Sequence, residues 1–144
     1  MDDSGVNPPQ RPLRPTRLLI VDEDEALRTE LAALLTDAGF EVLQAANGRA
    51  AIDAQERGAA EVVIAEMLLP EVDGFELIAH FSRQVGRPKF IAMTSGGKLG
   101  ADFYLKTARQ LGAHGVLAKP FENKKLLEMI MGVLRGGTST GPAR

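Results

Sequence analysis

The side chains of this 144-residue sequence that are most capable of ionic chemistry follow four short apolar runs. Two acids come directly after residues 18–21, a third follows 62–65, a hydroxyl follows 90–93 and an ammonium follows 116–118. These side chains are Asp22, Glu23, Glu66, Thr94 and Lys119. Carboxylate oxygens on a loop suit a hard cation such as Mg²⁺, whereas an ammonium and a hydroxyl suit an anion beside it.

The carboxylates of this set would repel one another unless positive charges lie close to them. Three carboxylates within ~4 Å repel by about 4 kcal/mol per pair at an effective dielectric constant of about 20. The single ammonium, Lys119, offsets one of these charges. A divalent cation would offset two more, so the set favours a bound cation if the apolar runs end at one place.

The apolar runs alternate with helical patterns along the chain. Strands are predicted at residues 18–21, 42–43, 62–65, 90–93 and 116–118. Such alternation indicates an α/β fold with a parallel sheet and helices on both faces. Right-handed crossovers favour a flavodoxin-like, doubly wound (βα)5 arrangement with strand order 2-1-3-4-5. The carboxyl ends of parallel strands lie at one edge of a sheet, so the chemically capable side chains should converge there.

The helix patterns also predict particular caps and buried residues. Asp24 is placed as the N-cap of the first helix. The apolar stripe of the fourth helix, at about 101–111, is predicted to carry Tyr104, Ala108 and Leu111. That of the fifth helix is predicted to carry Leu126 or Leu127, then Ile130 and Leu134.

Composition and charge limit the possible classes of function. The formal net charge is −2, so the chain lacks the basic field that holds a phosphate backbone, and we expect no binding of nucleic acid. The absence of Cys excludes disulfides, thiol catalysis and zinc–thiolate sites. An acidic start and the lack of a long apolar run argue against a secretory signal and a membrane span. We therefore predict a cytoplasmic protein with no membrane partner.

The two ends of the chain do not have the composition of a packed core. Residues 1–16 are rich in Pro, and residues 136–144 consist largely of Gly, Ser and Thr. Such segments bury too little apolar surface to fold, so both are predicted to be disordered tails. The predicted folded unit is residues 17–135, with no second domain.

In this order and at these strand ends, the motifs resemble those of the receiver domains of two-component response regulators. The matching pieces are Val21-Asp22-Glu23-Asp24, Leu69-Pro70, Asp73-Gly74, Thr94 and Lys119-Pro120-Phe121. The resemblance spans about residues 17–135. Each piece is weak alone, but all of them in order are highly specific.

The resemblance implies a role for each residue of the site. In receivers the acid pair binds Mg²⁺, which points to Asp22 and Glu23, with Glu66 as a third ligand. The carboxylate that ends the third strand, here Glu66, is the position that accepts a phosphoryl group from a histidine kinase. Thr94 would follow the phosphoryl oxygen, Lys119 would neutralise it, and the peptide bond between Lys119 and Pro120 is expected to be cis.

The sequence departs from the family at the phosphoacceptor itself, where Glu66 replaces Asp. One added methylene moves the carboxylate by about 1.5 Å, and misplacement by ~1 Å can cost about a hundredfold in rate. The longer side chain also reaches toward Thr94 and Lys119. Glu66 therefore either imitates a phosphorylated Asp and holds the domain switched on, or is an inert substitution; the sequence leaves both open.

A second departure is Val116, where receivers often carry a Tyr or Phe whose ring moves with the hydroxyl. Val has no ring, so the usual relay between the hydroxyl and this strand is interrupted. Glu23, in place of the commoner second Asp, is a milder change, because a longer side chain can still reach a metal directly or through water.

These observations predict a stand-alone receiver-like module that is not an enzyme and that acts through protein–protein contacts. The predicted partner is a histidine kinase or a downstream effector, which would bind the face formed by the fourth helix, fifth strand and fifth helix. The alternative is a conventional phosphoacceptor with autophosphatase activity. A third possibility is a carrier of FMN or a nucleotide, which the acidic edge disfavours because it repels phosphate.

Overall fold

The computed structural model describes residues 14–136, in which five strands alternate with five helices. The strands are β1 (Arg17–Val21), β2 (Glu41–Ala45), β3 (Val62–Glu66), β4 (Lys89–Thr94) and β5 (Gly115–Ala118). The helices are α1 (Glu25–Asp37), α2 (Gly48–Arg57), α3 (Gly74–Ser82), α4 (Ala101–Gln110) and α5 (Asn123–Leu134). The strands pair in parallel in the order β2-β1-β3-β4-β5. The predicted flavodoxin-like fold and its strand order are confirmed.

The predicted tails lie almost entirely outside the described part of the chain. Residues 1–13 and 137–144 fall there, whereas 14–16 and 136 are described and belong to no strand or helix. The limits of the folded unit, 17–135, stay a prediction. Between residues 14 and 136, no helix combines the length and the apolar character needed to cross a bilayer.

The sheet buries an apolar layer on each of its two faces, because alternate residues of a strand point to opposite sides. Leu19 and Val63 belong to the layer beneath α2, α3 and α4, and Ile20 and Ile64 belong to the layer beneath α1 and α5. All four of these side chains are fully buried. The central strands are therefore a rigid platform, and their carboxyl ends carry the site.

Side chains cap α2, through Asn47, and also the helices that follow β1 and β3. Asp24 accepts a hydrogen bond from the backbone N–H of Leu27 at 3.1 Å, which confirms the predicted cap of α1. Asp73 and Glu76 form a reciprocal capping box at the start of α3. Each cap satisfies backbone donors that a helix leaves without partners. The caps of α1 and α3 fix the loops that follow β1 and β3.

The predicted buried stripe of α4 is wrong in part. Ala108 is buried as predicted, but its companion is Leu105 and not Tyr104, and Leu111 lies beyond the helix and is exposed. The periodicity of a helix predicts how buried positions are spaced, but it does not tell which of two adjacent stripes of residues faces the sheet. In α5, Leu126 and Ile130 are buried as predicted, whereas Leu134 is only half-buried. The residues that α5 buries are Leu126, Met129, Ile130 and Val133.

Candidate functional site

Glu66 is the last residue of β3 and its side chain is nearly buried, with 10% exposed. It lies opposite Met93 of the neighbouring strand β4. Its Oε2 accepts a hydrogen bond from the backbone N–H of Leu68 at 2.9 Å. The strand therefore delivers the carboxylate to the sheet edge, and the loop that follows it holds one of the two oxygens.

Asp22 follows β1 directly and is fixed through both its main chain and its side chain. Its backbone N–H donates to the carbonyl of Ala45 at 3.1 Å, which extends the pairing of β1 with β2 by one residue. Its Oδ1 accepts from the N–H of Asp24 at 2.9 Å. Arg28 of α1 donates to the carbonyl of Asp22 at 2.7 Å and to Oε1 of Gln44 at 3.2 Å. The second side-chain oxygen of Asp22 is left to face the centre of the site.

Lys119 joins the two acids. Its Nζ lies 2.6 Å from Oδ2 of Asp22 and 2.7 Å from Oε1 of Glu66, with 18% of the side chain exposed. Burial is the largest single influence and would lower the pKa of Lys119, but the hydrogen bonds to Asp22 and Glu66 and the charges of these acids together raise the pKa above its usual value. The peptide bond to Pro120 is cis, as the family resemblance implies. Lys119 is therefore a charged ammonium shared between two buried carboxylates.

Thr94 ends β4 and is fully buried. Its backbone carbonyl accepts a hydrogen bond from the N–H of Lys119 at 2.9 Å, which ties β4 to the loop after β5. Its hydroxyl oxygen accepts from the N–H of Gly96 at 3.1 Å. The structure thus places Thr94 at the predicted edge, with its hydroxyl engaged by its own loop.

The three acids predicted to bind magnesium do not form one cluster. Asp22 and Glu66 meet at Lys119, whereas Glu23 is exposed. All four carboxylate oxygens of Asp22 and Glu66 accept a hydrogen bond from Lys119 or from a backbone N–H. Within residues 14–136, no three His, Cys, Asp or Glu side chains are grouped so as to hold a metal ion. This arrangement does not fit a ready-made Mg²⁺ site, and the ligand roles of the three acids stay predictions.

Two contributors to the site were missed by reasoning from sequence. The backbone N–H of Leu68 left no signal, because a main-chain donor is independent of residue type. Arg28 could have been suspected, since it lies one turn into α1 and a long cationic side chain there can reach back to the loop after β1.

Val116, the position where receivers often carry an aromatic ring, is half-buried and packs on the core layer beneath α2, α3 and α4.

Comparison with known proteins gives a consistent family. A family model described as the response regulator receiver domain matches residues 18–131. The sensory transduction protein RegX3 of Mycobacterium tuberculosis is 29% identical over 122 residues, which are 85% of this chain and 52% of the relative. The sporulation initiation phosphotransferase F of Bacillus subtilis is 28% identical over 114 residues, which are 79% of this chain and 90% of the relative. The chain thus spans about half the length of RegX3.

Solved structures agree with the family model. The chemotaxis response regulator CheY4 of Vibrio cholerae aligns with a TM-score of 0.69 and 28% identity, over 81% of this chain and 96% of that one. A receiver domain protein from Clostridium thermocellum aligns with a TM-score of 0.76 at 22% identity, over 84% of this chain and 95% of that one, and supports the fold alone. The family model covers most of the chain, including every residue of the Asp22, Glu66 and Lys119 constellation. The chain therefore belongs to the response regulator receiver domain family of two-component systems.

Proposed function

We propose that this chain is a pseudo-receiver: a receiver module whose phosphoacceptor position is filled by a permanent carboxylate and which acts through protein contacts. The observation that supports this proposal is the 2.7 Å contact between Oε1 of Glu66 and Nζ of Lys119. In the family, the lysine at this position neutralises the phosphoryl group. Here a side chain of the protein itself makes that contact.

The geometry around Glu66 disfavours phosphoryl transfer. A nucleophilic oxygen must approach phosphorus roughly in line with the leaving group. Both oxygens of Glu66 are engaged, one by Lys119 and the other by the N–H of Leu68. The extra methylene also displaces the carboxylate by about 1.5 Å relative to Asp, and an error of ~1 Å can cost about a hundredfold. We therefore propose no enzymatic turnover at this site.

The charge of Glu66 makes it a partial mimic of a phosphorylated Asp. A carboxylate carries one negative charge, whereas a phosphoryl group carries about −1.5 to −2 and three acceptor oxygens. The contact with Lys119 is retained, but the hydroxyl of Thr94 is bonded to Gly96. Glu66 thus reproduces the lysine half of the activated contact set, which favours a fixed signalling state over an inert pocket.

Incubation of the 144-residue chain with acetyl phosphate and Mg²⁺, followed by intact-mass measurement, tests this proposal. We expect no mass gain, because the added methylene displaces the carboxylate and its two oxygens are held by Lys119 and by the N–H of Leu68. A stoichiometric phosphoryl adduct that is stable in acid, labile in base and abolished by Glu66→Gln would support the conventional phosphoacceptor instead.

Receiver domains generally bind Mg²⁺ at the phosphorylation site, and we expect this chain to bind it weakly. A cation would have to displace Lys119 from Asp22 or Glu66 and draw in the exposed Glu23. A ligand that binds the folded state raises the unfolding midpoint according to its affinity. We therefore expect the thermal midpoint of the protein to stay unchanged when MgCl₂ replaces NaCl at equal ionic strength. A magnesium-specific rise that Glu23→Gln removes would contradict this expectation.

We propose that the partner is a histidine kinase or a downstream effector, as for receiver domains in general, and that it binds the face of α4, β5 and α5. Met131 of α5 is 47% exposed and Lys106 of α4 is exposed. Apolar exposure among charged residues is typical of contact surfaces. Because such partners present their signalling domains to the cytoplasm, we place this chain there too. Its description as a stand-alone module stays a prediction.

A further inference from the structure

Glu66 is linked to the rest of the domain by a second contact besides the one with Lys119. Oε2 of Glu66 accepts the hydrogen bond from the backbone N–H of Leu68, two residues along the loop between β3 and α3. We propose that this bond couples the Glu66 carboxylate to a surface group, here named the Tyr104 patch, formed by Leu68, Phe75, Phe103 and Tyr104. The inference rests on the proposed function, because it describes how a fixed carboxylate would set the position of α4.

The first step of this coupling leads from the Leu68 backbone to its side chain. The Leu68 side chain reaches the loop between β4 and α4 at Gly97. A Cβ built on Gly97 would lie 2.9 Å from Cδ1 of Leu68 and 3.1 Å from the hydroxyl oxygen of Tyr104. The methyl of Leu68 and the hydroxyl of Tyr104 therefore both lie close to the Cα atom of Gly97. A displacement of the Leu68 backbone should therefore shift its methyl relative to Gly97 and Tyr104.

The second step leads from Tyr104 into two helices. Its ring centroid lies 6.2 Å from that of Phe75, at the start of α3, and 5.5 Å from that of Phe103, its neighbour in α4. Aromatic pairs at centroid separations of about 4.5–7 Å attract one another beyond the effect of burial alone. The ring of Tyr104 thus ties α4 to the start of α3, directly after the loop that Glu66 holds.

The third step is the charge of the carboxylate. A hydrogen bond to an ionised acceptor is about twice as strong as one between neutral groups. Removing the carboxylate leaves the N–H of Leu68 without its acceptor and releases the loop. This coupling reaches α4 through α3. It therefore does not require an aromatic ring in β5, where this chain has Val116. It accounts for the position of Tyr104 on the α3 side of its helix.

The protein contains its own probe of this coupling, because it has one Tyr and no Trp. Ultraviolet-excited emission of the 144-residue chain above the Phe range therefore reports on Tyr104 alone. We expect Glu66→Ala and Glu66→Gln to raise the quenching of this emission by acrylamide, with the larger rise for Ala. Glu56→Gln, which removes an exposed acid from α2, is the matched control and should leave quenching unchanged.

A second pair of variants tests the contact over Gly97 with Glu66 left intact. Gly97→Ala pushes a methyl group between Leu68 and Tyr104 and should change the emission. Gly132→Ala is its control, since the nearest atom to the added Cβ is Nη2 of Arg135 at 4.0 Å. Glu66→Ala combined with Gly97→Ala should change the emission by less than the sum of the two, because both act on one contact.

Unchanged quenching in Glu66→Ala and Glu66→Gln, in proteins that retain wild-type far-ultraviolet circular dichroism, would overturn the coupling. Additive effects of Glu66→Ala and Gly97→Ala would do so as well. These measurements use no phosphodonor, so they are independent of the mass experiment. Phosphorylation of the wild-type protein would reject the pseudo-receiver while leaving the coupling intact.

Discussion

Replacing Lys119 by Met is expected to destabilise this domain more than any other single change at the site. The variant leaves the side chains of Asp22 and Glu66, which are 5% and 10% exposed, facing one another without a cation. Removal of one partner from a buried ion pair leaves an uncompensated charge and costs about 3 kcal/mol or more. We expect the free energy of unfolding, measured by urea denaturation at neutral pH, to fall by about 3 kcal/mol.

Two further variants define the origin of this loss. Lys125→Met removes the same charge from the exposed surface of α5 and should change the stability by less than about 0.5 kcal/mol. The double variant Lys119→Met with Glu66→Gln should recover part of the loss, because one of the two facing carboxylates becomes neutral. Equal effects of Lys119→Met and Lys125→Met would show that the two acids do not depend on this ammonium.

The same ammonium predicts a loss of stability in alkaline solution. Although burial opposes it, hydrogen bonding to Asp22 and Glu66 raises the pKa of Lys119 above the usual 10.5. A base with a higher pKa in the folded state contributes its full stabilisation below the unfolded-state value and loses it as the pH rises through the folded-state value. The wild-type protein should therefore lose stability above pH 10.5. Lys119→Met should lack this component.

If the proposed function is right, Glu66→Asp should raise phosphoryl uptake from an undetectable or very slow rate to a measurable one. Shortening the side chain by about 1.5 Å opens space between the carboxylate and Lys119. An oxygen of Asp can then attack the phosphorus of acetyl phosphate in line, displacing acetate and forming an acyl phosphate. Correction of a ~1 Å misplacement corresponds to about a hundredfold gain in rate. Intact-mass measurement over time, with Mg²⁺ present, gives this rate for both proteins.

The control for this gain is Glu66→Gln, which has no nucleophilic carboxylate and should stay unmodified. Adding Lys119→Met to Glu66→Asp should remove most of the gain, because it removes the ammonium that we propose would neutralise the phosphoryl oxygens. Continued inertness of Glu66→Asp would locate the defect elsewhere in the pocket, with the exposed Glu23 as the first candidate.

The fold could be predicted from sequence because its signals are local and repeated. Apolar runs fixed the five strands to within a few residues, and Asp24 was recognised as a cap from its residue type and position. Convergence of Asp22, Glu66 and Lys119 then followed from one geometric rule, that parallel strands end at the same edge. The tight sharing of Lys119 by both acids could also be anticipated from charge, since it is the one cation in the set.

The parts that could not be predicted depend on rotamers and main-chain positions. Whether Glu23 turns inward and whether the hydroxyl of Thr94 faces Glu66 or Gly96 are choices between side-chain orientations that residue type does not determine. The bond from Leu68 is made by a main-chain atom. Tyr104 was assigned to the core because its spacing fits, but the ring of Phe75 offers it a partner nearer the surface.

The contact between Glu66 and Lys119 also affects how long a signalling state of this domain would last. An acyl phosphate hydrolyses, so the activated state of a conventional receiver has a limited lifetime and the domain returns to its unphosphorylated state. The contact between Glu66 and Lys119, at 2.7 Å, joins two side chains of the protein and is not removed by hydrolysis. If Glu66 holds this module in one signalling state, the duration of that state is set by the lifetime of the polypeptide and not by the hydrolysis of a phosphoryl group.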